Sequence, residues 1–96
     1  MAFEWDENKN KSNLDKHGID FNQAKEVFND DNKIEMPDTR NDYGEKRTKI
    51  IGKAVDLVLS VVYTMRDKVT RIISARAASR NERKLYNDKK QSDNEQ

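Results

Sequence analysis

The sequence predicts an α+β domain with two N-terminal helices, a mainly antiparallel sheet of about four to five strands and a C-terminal helix. Three observations carry this reading. Residues 47–75 hold three strand-like runs separated by short turns, the pattern of an antiparallel meander. Residues 7–29 carry helix caps and one apolar stripe at helical spacing. Ser79 and Glu82 have the spacing of a capping box that opens a last helix. A chain of 96 residues is one domain's worth.

The elements follow in order. Phe3-Glu4-Trp5 alternates apolar and polar and reads as a short first strand. Asp6 is an N-cap, and Glu7 suits the positive end of a helix over residues 7–16. That helix ends near His17-Gly18, with Gly18 as the left-handed residue after it. Leu14 is its one large apolar side chain, so the helix is mostly exposed or covered by something else. Asp20 caps a second helix over 21–29, where Phe21, Ala24, Val27 and Phe28 form one stripe. Asn29-Asp30-Asp31-Asn32 stops it. Ile34 and Met36 mark a short strand, and Pro37 makes it an edge. Pro37 to Gly44 is a loop. The meander then runs from Arg47 to Gly52, Leu57 to Thr64 and Val69 to Ala75, with Met65 to Lys68 as its last turn. Leu57 to Thr64 is apolar on both faces, which makes it the central strand. Residues 1–87 are expected to form the single domain, and the wholly polar 88–96 a tail that is disordered or a frayed helix.

Composition narrows the function. The chain is 33% hydrophobic and 39% charged, so its core is small and its surface very polar. It holds no cysteine and one histidine, which rules out disulfides, a Cys nucleophile and multi-His metal sites. No apolar run is long enough to span a membrane, and the acidic start lacks the apolar segment of a secretory signal; a cytoplasmic protein is the expectation. The net charge of +1 hides an asymmetry. Residues 1–42 sum to −5 and residues 43–90 to +8. All but one of the arginines lie at or after Arg47. Such a basic half suits a polyanion, and arginine forks onto phosphate oxygens. A surface whose halves neutralise each other in the fold is the alternative.

Strand alternation limits which side chains can meet. Arg47, Lys49 and Ile51 share a face of the first meander strand. Tyr63 shares one with Leu57, Leu59 and Val61. In the third strand, Val69, Arg71, Ile73 and Ala75 share one face, while Thr70, Ile72, Ser74 and Arg76 share the other. The sheet can thus place Arg47, Tyr63 and either Arg71 or Arg76 near each other, the register deciding which. Arg76 and Arg80 flank the start of the last helix, where anions are favoured. RNA cleavage without a metal needs a base for the 2′-hydroxyl, an acid for the leaving oxygen and cations for the extra phosphate charge. His17 or Glu45 can move the proton, and the arginines supply the charge. Each has a plainer alternative: His17 as a C-cap, Glu45 as a partner of Arg47 or Lys46, Arg76 paired with Glu82 or another acid of the last helix, and Arg80 in a helix salt bridge. Trp5 either stacks on a base or fills the core beneath the second helix.

These blocks, taken together, resemble a known family. They are Phe3-Glu4-Trp5-Asp6, Asn13 to Phe21, Val27-Phe28, Gly44-Glu45-Lys46-Arg47, Val61-Val62-Tyr63-Thr64 and Arg71 to Ala78, followed by Arg80, Glu82, Arg83 and Tyr86. The chain is similar to the BrnT toxins of type II toxin–antitoxin systems from residue 3 to about 87. The resemblance implies a RelE-like fold and a metal-independent endoribonuclease that inhibits translation without a cofactor. It implies a BrnA-like antitoxin with a ribbon-helix-helix domain, RNA as substrate, and operator DNA reached only through the toxin–antitoxin complex. Carried onto this sequence, it makes His17, Glu45, Arg47, Tyr63, Arg76 and Arg80 the candidate catalytic set. Trp5, Lys16, Lys49, Arg71 and Arg83 are the candidates for holding nucleic acid. A non-catalytic RNA-binding or antitoxin-binding module on the same fold is the alternative.

Overall fold

A computed structural model of the chain describes residues 1–39 and 44–94. In chain order it runs β1 (Phe3–Glu4), α1 (Glu7–His17), α2 (Phe21–Ala24), a 3-10 segment (Lys25–Asn29), β2 (Ile34–Pro37), β3 (Thr48–Ala54), β4 (Leu57–Arg66), β5 (Val69–Ala77) and α3 (Arg80–Asn94). The five strands form one sheet in the order β1-β5-β4-β3-β2. β1 pairs in parallel with β5, and the other pairs are antiparallel. The α+β class, the meander, the central β4 and the edge position of β2 agree with the sequence.

The short first strand read at Phe3-Glu4-Trp5 is present as β1. The helices differ in detail from two plain ones, because the second lasts one turn before tightening into the 3-10 segment. In a 3-10 helix side chains three apart eclipse, so Ala24 and Val27 still point together into the core. Gly52 lets this segment lie close against β3. A β-carbon there would fall 3.1 Å from that of Val27 and 3.2 Å from the Val27 carbonyl oxygen. The loop predicted over residues 37–44 lies partly outside the described residues, at 40–43.

The strands outrun the sequence reading because both hairpins close on two residues. Asp67 and Lys68 both have positive φ, the backbone hand that matches the twist of paired strands. Val55, at the tip of the β3–β4 hairpin, has φ 57° and is 77% exposed. For a β-branched residue this is a strained backbone.

The sheet is covered unequally. One face carries Ile50, Leu59, Val61, Tyr63, Ile72 and Ala75, and packs beneath Ile19, Phe21, Ala24 and Val27. Edge-to-face rings extend that layer: Phe3 on Phe28 at 5.1 Å, Phe28 on Tyr63 at 5.0 Å and Trp5 on Phe21 at 6.0 Å. On the opposite face, α3 sets Ala78 and Tyr86 over Ile51, Ile34, Met36 and Val58. The Tyr86 phenol donates to Asp30 at 2.6 Å. Burial, then that carboxylate, push the phenol up to about 12. α3 therefore lies over the β2–β3 side of this face. It also continues to Asn94, through the polar segment that the sequence leaves as disordered tail or frayed helix. Residues 88–94 contain no Gly or Pro, and extending an anchored helix is far easier than nucleating one. Among the described residues no helix is long and apolar enough to cross a membrane.

α1 docks without an apolar stripe. Asp6 caps it by accepting from the Asn8 and Lys9 amides, and Gly18 closes it at φ 72°. Its buried residue is Asn13, whereas Leu14 is exposed. The Asn13 side-chain amide donates to the Ala75 carbonyl at 2.7 Å and accepts from the Ala75 N–H at 3.1 Å. It also donates to the Ile19 carbonyl at 2.9 Å. β1 pairs with β5 only at Thr70 and Arg71. Asn13 thus replaces the missing strand partner farther along that edge. Asn10 adds a second tie by accepting from the Phe21 N–H at 2.9 Å.

Two outcomes follow for stability. Asn13→Ala orphans buried backbone groups on β5 and lowers stability by about 2–4 kcal/mol. Urea unfolding measures this, and a loss below about 1 kcal/mol would show that water replaces the amide. Val55→Gly acts in the other direction. Relief of a left-handed residue gains about 1–2 kcal/mol and the glycine's extra backbone entropy costs about 0.5–1, leaving a net gain near 0.5–1 kcal/mol. The melting temperature should rise by a few degrees; an unchanged or lower value would mean that the Val55 side chain stabilises the tip.

Candidate functional site

Because α3 covers only one side of its face, the β4–β5 side stays open. There a cleft of about 250 Å³ is lined by His17, Lys49, Ser60, Val62, Ser74, Ala75 and Arg76. Alternation along β3 and β4 points Lys49, Ser60 and Val62 into it. His17 arrives from the last turn of α1, carried around the β5 edge by the Asn13 tie.

Under the cleft lies Glu82, 6% exposed. Arg76 grips it with both fork nitrogens, Nη1 to Oε1 at 2.7 Å and Nη2 to Oε2 at 3.0 Å. Lys49 Nζ donates to Oε2 at 2.8 Å, and Ser60 Oγ lies 3.4 Å from it. The Ser79 N–H donates to Oε1 at 2.8 Å, while the Glu82 N–H returns to Ser79 Oγ at 3.2 Å. The capping box read from the sequence is therefore present, and its carboxylate has a second task. Burial alone would raise the Glu82 pKa. The hydrogen bonds from Arg76, Lys49 and Ser79 outweigh burial and hold the carboxyl far below the ordinary carboxylate range. Two cations share one carboxylate, so the cleft keeps an excess positive charge.

The remaining candidates are spread out. Register corrects the alternation assumed for β5. Ser60 pairs with Arg76 and Thr64 with Arg71, and both β4 residues face the same way. The register slips between Val62 and Tyr63, so the extra residue on β5 returns Arg71 to the Arg76 face. Arg71 there pairs with Glu4 at 3.3 Å. Glu45 lies beyond the far end of β4, 3.4 Å from both Arg47 and Arg66. Tyr63 is on the opposite face, donating to Glu35 at 3.2 Å. Burial, then Glu35, push its phenol up. Trp5 also packs on that face and donates its indole N–H to Glu7 at 2.7 Å. Arg80 and Arg83 are exposed on the first turns of α3, with Arg83 donating to the Ala78 carbonyl at 2.8 Å. Lys16 is exposed on α1. The structure thus brings His17, Lys49 and Arg76 together and keeps Trp5, Glu45, Arg47 and Tyr63 out of the cleft. Ser60 escapes the sequence reading, as does the convergence of Lys49 and Ser60 on Glu82. Alternation sets Ser74 on the Arg76 face, and the Arg76–Glu82 pair is the plainer alternative read for Arg76. Among the described residues no group of three His, Asp or Glu side chains forms a metal-binding set.

The Glu82 clamp makes stability depend on pH with a definite sign. Its folded pKa is below the ordinary 4.5, so its contribution is complete above that value and fades as pH falls below it. Glu82→Gln should cost about 3 kcal/mol near neutral pH, with the gap to the parent narrowing from about pH 4.5 downward. Unfolding curves across the acid range check this; a gap that stays constant would mean that the carboxylate's charge is not its source.

The comparisons with known proteins bear on most of this chain. A family model described as the ribonuclease toxin, BrnT, of type II toxin–antitoxin systems matches residues 5–82. No curated protein matches the chain. The matched stretch spans β1's flank, the meander and the start of α3 as far as Glu82, and so includes every residue that lines the cleft. This chain belongs to the BrnT family of ribonuclease toxins, whose type II systems pair each toxin with an antitoxin.

Proposed function

We propose that the cleft on the β4–β5 side of the sheet is where this toxin cleaves RNA, without a metal ion and with arrest of translation as the result. The observation that carries the reading is the convergence of His17, Lys49 and Arg76 on one open, positively charged cleft. In such a cut the 2′-oxygen attacks phosphorus, its proton leaves to a base, and the 5′-oxygen departs with a proton. His17 brings to the cleft an imidazole, a side chain that can both accept and give a proton. Arg76 and Lys49 are placed to stabilise the charge that grows on the phosphate oxygens. Glu82 is unsuited as the base, because its carboxyl is held too acidic. A strand and helices followed by an antiparallel meander and a last helix support a RelE-like fold. The partner in this reading is a BrnA-like ribbon-helix-helix antitoxin in the cytoplasm, which alone gives the complex its hold on operator DNA.

One observation favours a second reading. The Arg76 fork is already filled by Glu82, as a purely structural arginine's would be. That fits a non-catalytic RNA- or antitoxin-binding module on the same fold. The purified chain separates the two when incubated with RNA in EDTA. Cleavage is expected, with Arg76→Ala losing roughly 10²–10³ in rate and much less in RNA affinity. Arg76→Lys should recover only part, since an ammonium lacks the planar fork. Melting temperatures of the same samples remove the trivial explanation of unfolding. No cleavage by the parent, or full cleavage by a folded Arg76→Ala chain, rules the catalytic reading out.

A further inference from the structure

The α1 stripe that faces β5 has a composition its position does not explain. Lys9, Ser12, Asn13, Lys16 and His17 stand at i, i+3, i+4, i+7 and i+8, the spacing at which a docked helix normally presents apolar residues to a core. All five are polar, and Leu14, the helix's one large apolar side chain, is 45% exposed. Asn13 fastens the centre of the stripe to Ala75. Beside this tie a groove of about 200 Å³ opens, lined by Lys9, Ser12, Lys16, His17, Ile73 and Ser74 along with Asn13 itself. His17 and Ser74 also line the cleft, so groove and cleft adjoin at these two residues. Among the described residues no acidic side chain lines the groove. Ile73 lies at the register slip of β5, which pairs Ile72 and Ser74 with adjacent residues of β4 and leaves Ile73 over.

We propose that this groove is a second phosphate subsite of the same RNA channel, holding the backbone of a nucleotide that flanks the one in the cleft. The proposal rests on the cleft being an RNA site. Its occupant follows from the chemistry. Two lysines and a serine, without a carboxylate or an aromatic platform, suit a phosphate and read no base. A channel that runs from Arg76 and Lys49 past His17 to Lys16 and Lys9 tracks a strand backbone rather than one isolated anion. Lys9 and Ser12 thereby join the substrate contacts, and Asn13 becomes the residue that keeps both walls of the groove in place.

The experiment measures binding of single-stranded 2′-O-methyl oligoribonucleotides, which cannot be cut, to the full chain over a range of salt. The probes are a dinucleotide and a longer strand. The parent should bind the longer strand more tightly. Lys9→Ala with Lys16→Ala should erase most of that gain and flatten the slope of log Kd against log salt by about 0.7 for each lysine removed. Both lysines are exposed, so the fold survives, and Lys9→Arg with Lys16→Arg should restore the slope. If the parent cuts RNA while the double alanine variant keeps the parental Kd and slope, the subsite is absent and the cleft assignment stands. If the parent neither binds nor cuts RNA, both readings fall together. If the variant loses antitoxin affinity but not RNA affinity, the groove serves an acidic segment of the protein partner and the proposal is overturned.

Discussion

One buried carboxylate organises the open face of this protein. Glu82 is the point at which β3, β4, β5 and the first turn of α3 meet, through Lys49, Ser60, Arg76 and the Ser79 amide. A charge taken out of water this far is tolerable only when every oxygen is satisfied, and here each Oε receives at least one charged donor. The constraint runs both ways. Glu82 fixes where α3 begins, and hence how much of the sheet α3 covers. It also fixes Arg76 and Lys49 with their charged ends at the floor of the cleft. The two cations cannot spread apart or collapse onto other acids without exposing Glu82's buried charge.

Much of the fold was legible because it is written in local chemistry. The N-caps Asp6 and Asp20, the Gly18 terminator, the Ser79–Glu82 box and the apolar run of β4 each depend on neighbours a few residues away. What escaped depends on pairing between distant segments. A one-residue slip in β5 moves Arg71 to the face opposite the one that alternation assigns it, and no residue type marks the slip. Tyr63 lay on the face that alternation predicted; only the packing of the 3-10 segment shows that this face is the core. His17, Lys49 and Arg76 were among the candidates, but their convergence needs the register of three strands and the docking of a helix. Glu82 was visible as a cap and as a partner for Arg76; that Lys49 and Ser60 meet its second oxygen depends on strand register, which a capping box does not reveal.

Asn13 shows how a small core is supplemented. With a third of its residues hydrophobic, the chain lacks apolar side chains to seat every helix. α1 is seated by asparagines instead, one on the edge of β5 and one on the start of α2. A polar tie is directional where an apolar stripe can slide, so the angle of α1 is set by hydrogen-bond geometry. That angle delivers His17 to the cleft. Along the same helix it leaves room for water or a ligand, which a packed apolar interface would have filled.

The parallel pairing of β1 with β5 also governs when the molecule becomes competent. Glu4 meets Arg71, and Asn13 meets Ala75, across 67 and 62 residues of chain. Helices and hairpins can form as they are made, but these closures wait for the far segment. On the ribosome, no nascent chain shorter than residue 82 possesses the clamp, and none shorter than residue 75 can hold His17 in place. The protein is therefore assembled in an order that leaves its cleft until last. A product truncated before residue 82, or a chain not yet extended that far, carries most of the mass of the protein without the carboxylate that clamps Arg76 and Lys49.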